Sequence, residues 1–310
     1  LTYSPSPDYV GEDQITFRDA TSQIVTLSIK VWPWGIAGGD SHTCVLDSNG
    51  VRCWGRNDLG QTAVPVLTNP RAIATGTRHT CALDDTGVKC WGDNEFGQAT
   101  PPTLLHPKVI AAGYDQSCAI DDSGLKCWGS NEYGQLDLPA LSNPKAVALG
   151  PTHTCALDDS GVQCWGSMAD ASGQTQVPAL SNPKAISASA ASSCALDDSG
   201  VRCWGGFGLQ QFTVPTLSKP KAIASGDNHT CALVESGVKC WGASDAQQLD
   251  VPTLSHPKAI AAGYAHTCAI DDSGVKCWGR YGSGEMASAP RISRPKVVAS
   301  GSEHICALDD

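Results

Sequence analysis

Cysteine is the residue of this sequence best suited to chemistry, and fourteen of its 15 cysteines occur in pairs. The two members of each pair are nine positions apart, and first members recur every 37 to 39 residues. Thiols at this density indicate either metal binding or the disulfides of an oxidising compartment. The pairs are Cys44/Cys53, Cys81/Cys90, Cys118/Cys127, Cys155/Cys164, Cys194/Cys203, Cys231/Cys240 and Cys268/Cys277, and Cys306 is left over.

The spacing within a pair favours a disulfide across a β-hairpin. A tight turn at Asp85-Thr86 places Cys81 opposite Cys90 on a non-hydrogen-bonded pair, where Cα atoms are ~4.5 Å apart and within disulfide reach. Closing a loop of this size contributes roughly 2–3 kcal/mol in the chain-entropy model. Zinc sites favour Cys-x-x-Cys, which is missing here, so bound metal and reduced thiols are the weaker alternatives. Because the chain stops before the cysteine expected to pair with Cys306, we expect it to be part of a longer protein.

Histidines recur two residues before the first cysteine of most pairs. A ring of imidazoles could bind metal or relay protons, but two repeats hold Gln116 and Ser192 at this position. We therefore predict a structural hydrogen bond between neighbouring strands. The histidines are His42, His79, His153, His229, His266 and His304.

Paired aspartates, such as Asp84-Asp85, recur between the two cysteines. Such carboxylates could bind calcium or act as acid and base. However, Asp and Ser are also good turn formers, and no further acid completes an EF-hand-like loop. We therefore interpret these aspartates as turn residues that form an acidic rim if they share one face.

A repeat must position all these side chains. Seven full periods and a fraction follow Ile36, and each contains short alternating runs such as KAIAAG, HTCAL and GVKCWG, bounded by Gly, Asp-Ser or Pro. Such runs are typical of strands. Three or four strands in about 37 residues are typical of a propeller blade. We predict an all-β fold, a β-propeller with one cross-strand disulfide per blade; seven blades are favoured and eight are the alternative.

Composition excludes several classes of protein. The 310 residues include 32 Gly and 19 Pro, too many for a helical protein, and no apolar run is long enough to span a membrane. The net charge of −10 argues against nucleic-acid binding. No catalytic or phosphate-binding motif is found, so we expect neither enzyme activity nor a cofactor.

A tryptophan follows the second cysteine of every pair, from Trp54 to Trp278, and we expect it to pack between blades. Two loops vary instead, one after Trp-Gly and one before the histidine position. Variable loops on a rigid repeated scaffold are typical binding sites, although they could equally be ordinary solvent loops. The candidate binding residues are Arg56, Leu59, Arg78, Phe96, Tyr114, Tyr133, Phe207, Tyr264, Arg280 and Tyr281.

The pattern Gly-x-x-His, Ala-Leu, Gly-Val-x-x-Trp-Gly and Gly-Gln, repeated over residues 36–310, resembles the regulator of chromosome condensation (RCC-type) repeat. The resemblance implies a β-propeller, most often seven-bladed. The family's eukaryotic founder is a nuclear exchange factor for a small GTPase that binds chromatin. This sequence departs from it in being acidic and in its paired cysteines. It is more similar to secreted bacterial members, one of which inhibits β-lactamases by docking loops of one face.

Residues 1–34 form a separate segment. Tyr3-x-Pro5, Tyr9-x-Gly11-x-Asp13 and the alternating run 24–31 resemble the end of a bacterial Ig-like or cadherin-like repeat. Alternatively, 25–32 is a closing strand of the propeller formed by residues 35–310.

The sequence points to a non-enzymatic binding module, extracellular or on a bacterial cell surface, whose loops bind a protein or a glycan. The alternatives are a structural spacer that assembles through neighbouring domains of a large surface protein, and an enzyme with its site in the central channel. We expect no nucleic acid as partner and no membrane insertion.

Overall fold

The computed structural model describes residues 11–18, 24–31, 35–167, 173–190, 192–206, 213–281, 284–285, 292 and 295–309. Within these ranges all regular structure is β, and no helix occurs. For 11–18, 24–31, 281 and 284–285 the backbone alone is described. The candidate Phe207 lies outside the described residues.

Seven complete repeats form seven antiparallel sheets, which we call blades 1 to 7; six have three consecutive strands, and the seventh also has a short fourth strand, β24 Gly284–Glu285. In each blade the inner strand pairs with the middle strand, and the middle strand pairs with the outer strand. Their bounds are β3 Gly35–Gly38, β4 His42–Asp47 and β5 Gly50–Gly55; β6 Ala72–Thr75, β7 His79–Asp84 and β8 Gly87–Gly92; β9 Val109–Ala112, β10 Gln116–Asp121 and β11 Gly124–Gly129; β12 Ala146–Leu149, β13 His153–Asp158 and β14 Gly161–Gly166; β15 Ala185–Ala188, β16 Ser192–Asp197 and β17 Gly200–Gly205; β18 Ala222–Ser225, β19 His229–Val234 and β20 Gly237–Gly242; β21 Ala259–Ala262, β22 His266–Asp271 and β23 Gly274–Tyr281.

The hairpin register is the predicted one. Asp84 pairs with Gly87 around the two-residue turn, which brings Cys81 opposite Cys90. The two Cα atoms are 4.1 Å apart and the sulfurs form a disulfide. The prediction of an all-β propeller with one disulfide in each complete blade is confirmed, and the described residues contain seven such blades.

All fourteen paired cysteines form the predicted disulfides, but the two members of a pair differ in burial. The first cysteine lies on the middle strand and is fully buried, whereas the second lies on the outer strand and is half-buried. The spacing alone did not show this difference. Besides Cys81–Cys90, the disulfides are Cys44–Cys53, Cys118–Cys127, Cys155–Cys164, Cys194–Cys203, Cys231–Cys240 and Cys268–Cys277.

The partial eighth repeat occupies its own place in the ring. It forms a two-stranded sheet of β25 Val297–Ser300 and β26 Ile305–Leu308, and Cys306 is a free thiol. The inner strands contact their neighbours in sequence from β3 to β21, and β25 contacts both β21 and β3. The ring is therefore closed by a sheet without an outer strand among the described residues.

Adjacent blades share an apolar core. Trp128 of blade 3 packs against Cys81, Val88 and Cys90 of blade 2, and four further clusters repeat this pattern. The segment around Val-Pro, as at Val177-Pro178, is where a fourth strand of the blade would lie, but it is not a strand in the described residues. Proline has no N–H to donate to a sheet, and apolar side chains of this segment, such as Val177 and Leu180, pack against the shared core instead.

The N-terminal segment contains a hairpin of β1 Gly11–Arg18 and β2 Ile24–Val31, paired along their full length. Its assignment to an Ig-like repeat stays a prediction.

Candidate binding face of the propeller

The blade topology places both variable loops on the same face. The loop before the histidine position joins the inner strand to the middle strand, and the outer strand ends beside the beginning of the middle strand, as in the pairing of His79 with Gly92. The loop after Trp-Gly therefore starts at the same end of the blade. We call this the loop face, and we call the opposite face, with the Asp-containing hairpin turns, the turn face.

In six of the seven hairpin turns on the turn face, the first position holds a buried structural aspartate, and blade 6 has Val234 there. Oδ1 of Asp84 accepts hydrogen bonds from the Thr86 amide (2.7 Å) and hydroxyl (2.6 Å), and Oδ2 accepts from the Thr68 amide (2.8 Å) and Lys89 Nζ (3.1 Å). Burial alone would raise the pKa of Asp84, but these donors outweigh it and lower the pKa to about 2.

The second aspartate is exposed and paired. Asp122, for example, accepts from Lys108 Nζ at 2.6 Å and from His106 Nδ1 at 2.9 Å, and the bond from Lys108 lowers its pKa most. Equivalent lysines pair with Asp159, Asp198 and Asp272. The turn face thus repeats one neutralised lysine–aspartate pair in blades 3, 4, 5 and 7.

On the loop face, the histidines join neighbouring blades. His79 Nε2 lies 2.7 Å from Ser117 Oγ of the next blade, and His42 Nε2 lies 2.8 Å from Thr80 Oγ1. His153 and His229 bond in the same way to Ser193 and Thr267. Burial lowers the pKa of His42, His79, His229 and His266 to about 4, so these rings are neutral at pH 7. The histidines are therefore structural, as their replacement in two repeats predicts.

Repeats that lack histidine have other hydrogen bonds. Gln116 Nε2 donates to the Gly150 carbonyl of the next blade at 2.9 Å. In blade 5, Ser192 Oγ lies 2.8 Å from Ser189 Oγ, and Ser189 replaces the glycine that other repeats have three residues earlier. That glycine is required beside a histidine. A Cβ on Gly76 would overlap both the His79 ring and the Gly113 carbonyl oxygen.

The loop after Trp-Gly is held by its own side chains. Gln98 Oε1 accepts from the Phe96 amide (2.9 Å), and Asn94 Oδ1 accepts from the Ala99 amide (2.9 Å). The Gln98 carbonyl accepts from Trp128 Nε1 (2.9 Å) and Ser117 Oγ (3.0 Å) of the next blade. Phe96 is therefore presented to solvent by a loop that is fixed at both the turn and the blade junction.

Equivalent loops of blades 1, 2 and 3 present a row of large apolar side chains. Leu59, Phe96 and Tyr133 are 40%, 46% and 39% exposed. Each follows an acidic residue, namely Asp58, Glu95 and Glu132. We call the three apolar side chains the rim row. Blade 6 has alanine, Ala246, at the same position.

The predicted arginines are paired with acids. Arg56 bonds Asp58 at 2.6 Å, and Arg78 bonds the buried Asp93 at 3.0 Å. Arg280 is exposed, but it and Tyr281 lie in β23 rather than in a loop, because they pair with β24 Gly284–Glu285. Tyr281 is described by its backbone alone.

Tyr114 and Tyr264 lie at the centre of the loop face, not at its rim. They line a cavity of about 200 Å³ formed by the loops that follow the inner strands. Tyr114 Oη donates to Asp227 Oδ2 at 3.2 Å, although 113 residues separate them. Burial, then the Asp227 charge, raises the pKa of Tyr114 to about 12, and burial raises the pKa of Asp227. Asp40 also lines this central cavity.

Sequence reasoning missed Asp40 and Asp227. The available signal lies directly after the inner strand. A glycine there and a histidine three positions after it recur in most repeats, whereas the residue that follows the glycine differs between repeats. Among the described residues, no group of three or more His, Cys, Asp or Glu has a geometry that could hold a metal. No helix suited to crossing a membrane occurs among them.

Trp54 differs from the other blade-junction tryptophans. It is 47% exposed, whereas its six equivalents are 4–8% exposed. The expectation that Trp54 packs between blades is wrong. Its neighbour is the two-stranded sheet β25–β26, which has no outer strand in the described structure to cover the indole of Trp54. Trp54, His304 and Cys306 line a cavity of about 430 Å³ at this junction.

Comparison with known proteins agrees with the repeat. Residues 35–61, 71–98, 108–135, 221–248 and 258–285 match the model of the regulator of chromosome condensation (RCC1) repeat. No curated protein sequence is significantly similar to the chain.

Several solved structures have a similar fold. The CRINKLY WD40 ectodomain of the Arabidopsis thaliana receptor kinase ACR4 is 25% identical, with 83% of this chain and 97% of that chain covered and a TM-score of 0.63. The Physcomitrella patens receptor kinase CR4 ectodomain is 22% identical, with coverage of 77% and 70% and a TM-score of 0.60. Prp20p of Saccharomyces cerevisiae is 18% identical, with coverage of 90% and 92% and a TM-score of 0.64. These likenesses show that the chain has the fold of a propeller.

Proposed function

We propose that this propeller of RCC1 repeats is a non-enzymatic, extracellular binding module that recognises a protein partner through its loop face. The observation that carries the proposal is the rim row. Leu59, Phe96 and Tyr133 stand exposed at equivalent positions of three consecutive blades. Large apolar side chains side by side on a surface are typical of interaction sites.

The contrast between the two faces supports this choice. The turn face repeats one lysine–aspartate pair on four of the seven blades, so its surface varies little among them. On the loop face the exposed side chains differ from blade to blade, whereas the buried side chains recur in most blades. Rigid presentation lowers the entropy lost on binding, and aromatic residues are enriched among the residues that dominate binding energy.

The seven disulfides support an extracellular location, because cytosolic reductants keep such thiols reduced. Two proteins of similar fold are receptor-kinase ectodomains. Yeast Prp20p has binding properties towards Gsp1p and histones, so one protein of similar fold binds other proteins. We favour a protein over a glycan because the rim row is apolar and spans three blades.

The test is a binding screen of the disulfide-bonded chain against arrays of extracellular proteins and of glycans. The loop-face variant replaces the rim row by Leu59→Ser, Phe96→Ser and Tyr133→Ser. The matched turn-face variant replaces three exposed lysines by Lys108→Ser, Lys145→Ser and Lys258→Ser. We expect a protein partner whose affinity falls at least 10-fold in the loop-face variant and less than 2-fold in the turn-face variant.

Three results would contradict the proposal. A partner that binds the loop-face variant as tightly as the parent chain would exclude the rim row. A partner lost in the turn-face variant alone would move the site to the other face. Selective binding to glycans with no protein partner would show that the proposed class of partner is wrong. Circular dichroism of both variants controls for folding.

A further inference from the structure

The central cavity of the loop face is where the repeat loses its symmetry. In each repeat a glycine, or Ser189 in blade 5, comes directly after the inner strand. The residue after this glycine or serine begins the loop that faces the centre of the propeller. We call these eight residues the mouth ring. They are Asp40, Thr77, Tyr114, Pro151, Ala190, Asp227, Tyr264 and Ser302. Two of them are carboxylates, two are tyrosines and none is basic.

The cavity gathers the functional members of this ring. Asp40, Tyr114, Asp227 and Tyr264 all line it, and its other lining residues are glycine, alanine, serine and threonine, without lysine, arginine or histidine. Tyr114 reaches from blade 3 to Asp227 in blade 6 through a 3.2 Å hydrogen bond. Tyr114 and Tyr264 are 41% and 52% exposed, so their rings are available to a ligand.

The carboxylates of the cavity differ from those of the turn face. There, Asp122, Asp159, Asp198 and Asp272 are each neutralised by a lysine within 2.8 Å. In the cavity, Asp227 accepts a hydrogen bond from the neutral hydroxyl of Tyr114, and Asp40 accepts one from the Ser41 hydroxyl at 3.1 Å. The negative charge of the cavity is therefore not balanced by a cation among the described residues that line it.

The backbone holds the mouth ring in place before any ligand arrives. The Asp40 amide donates to the Thr77 carbonyl at 3.2 Å, and the Thr77 amide donates to the Gly113 carbonyl at 3.2 Å. On the other side, the Tyr264 amide donates to the Ser302 carbonyl at 3.3 Å. Loops bonded to each other in this way present their side chains in a fixed arrangement, which favours binding.

We propose that this cavity binds one positively charged side chain, the guanidinium of an arginine or the ammonium of a lysine, that projects from the protein partner. The inference rests on the proposed function, and it names the chemical group that enters the centre of the loop face. Carboxylates bond such cations through charge-assisted hydrogen bonds. Tyrosine rings attract them through their π faces. A volume of about 200 Å³ accommodates one side chain of this size and not a folded domain.

The hydroxyl of Tyr114 has a second consequence. In the free protein the Tyr114 hydroxyl donates a hydrogen bond to Asp227 Oδ2, so it competes with the incoming cation for that oxygen. Tyr114→Phe keeps the aromatic ring and frees the carboxylate, whereas Tyr114→Ala removes both the ring and the hydroxyl. The two substitutions are therefore expected to act in opposite directions.

The experiment is a titration of the full disulfide-bonded chain, followed by NMR or calorimetry, with the peptide acetyl-Gly-Arg-Gly-amide. The control ligand has citrulline in place of arginine, which keeps the shape and removes the charge. We expect the arginine peptide to bind at least 10-fold more tightly than the citrulline peptide, and to bind less tightly as salt is raised.

Variants of the chain locate the site. Asp227→Asn is expected to weaken the arginine peptide at least 5-fold, whereas the matched turn-face variant Asp159→Asn leaves its affinity unchanged. Tyr114→Phe is expected to keep or raise the affinity, and Tyr114→Ala to lower it about 3- to 10-fold, as loss of a cation–π contact implies. Equal binding of both peptides, or an unchanged affinity in Asp227→Asn, would overturn the proposal.

Two further arms separate the possible explanations. Propylguanidine carries the same singly charged guanidinium without a peptide, and tighter binding of propylguanidine than of the arginine peptide would overturn the assignment to a partner side chain in favour of a free organic cation. The second arm measures binding of the protein partner found in the screen. Loss of affinity in the loop-face variant but not in Asp227→Asn would refute this inference and leave the proposed function intact.

Discussion

The neutral histidines of the blade junctions predict a specific loss of stability in acid. His79 is fully buried, and its pKa falls from 6.5 to about 4 on folding. Below pH 6.5 the unfolded chain therefore binds a proton that the folded chain does not, so the free energy of unfolding decreases as pH falls. This contribution is complete above the unfolded pKa and is lost progressively between pH 6.5 and about 4. Integrating over the two pKa values gives a loss of about 2 kcal/mol by pH 5 and about 3 kcal/mol by pH 4 for this one residue.

The variant His79→Gln tests this magnitude, because the chain already has Gln116 at the equivalent position of blade 3. There the amide donates to the Gly150 carbonyl, and the corresponding acceptor for residue 79 is the carbonyl of Gly113. We expect His79→Gln to change the free energy of unfolding by about 1 kcal/mol or less at pH 8. Between pH 8 and pH 5 the free energy of unfolding of the His79→Gln variant should decrease by about 2 kcal/mol less than that of the parent chain.

The assay is urea denaturation of both proteins at pH 8, 6 and 5 with the disulfides intact. The aspartates of the turn face do not interfere in this range, since the pKa of Asp84, for example, is about 2. Stability curves of the two proteins that stay parallel from pH 8 to pH 5 would refute the reasoning. They would mean that His79 is protonated in the folded chain or that its junction opens before the blade unfolds.

Three further outcomes follow from the packing and the thiols. Gly76→Ala should destabilise the fold strongly, because its Cβ would overlap the ring of His79. The double variant Gly76→Ser/His79→Ser, which copies the serine pair of blade 5, should recover part of the lost stability. Denaturation midpoints of the two variants test both expectations. Trp165→Ala should cost about 3–5 kcal/mol of unfolding free energy, and the exposed Trp54→Ala about 1 kcal/mol or less. Alkylation of the denatured chain without reductant should label one thiol, that of Cys306, by intact mass.

Local spacing was sufficient to predict the blade. The separation of nine positions between Cys81 and Cys90 leaves one register for a tight hairpin, and the structure has that register and that disulfide. The role of the histidine followed from its replacement by Gln116, because a residue that can be exchanged for another hydrogen-bonding group is not a catalyst. These inferences needed only the spacing within one repeat and the comparison of equivalent positions between repeats.

Contacts between distant repeats could not be predicted in the same way. Tyr114 was singled out as a variable aromatic residue, but its partner Asp227 lies three blades away, and periodicity does not show which loop position faces the centre of the ring. The ion pair between Arg78 and Asp93 joins two loops of one blade, and it was missed because the partner of a charged side chain is known only once the loops are placed. Trp54 was treated as its six equivalents are, although its environment depends on how the ring closes.

The distinction between fixed and variable positions has a physical cause in this fold. Gly76, His79 and Trp128 join blades through their side chains, or through the absence of one, so substitution there removes a bond or creates a clash. The mouth ring joins blades through its backbone instead, as in the bonds of the Thr77 and Tyr264 amides to neighbouring carbonyls. Side chains on such positions can change without loss of the junction. The residues free to diverge are therefore those already held rigidly at the centre of the loop face, where a change of side chain alters recognition and leaves the propeller intact.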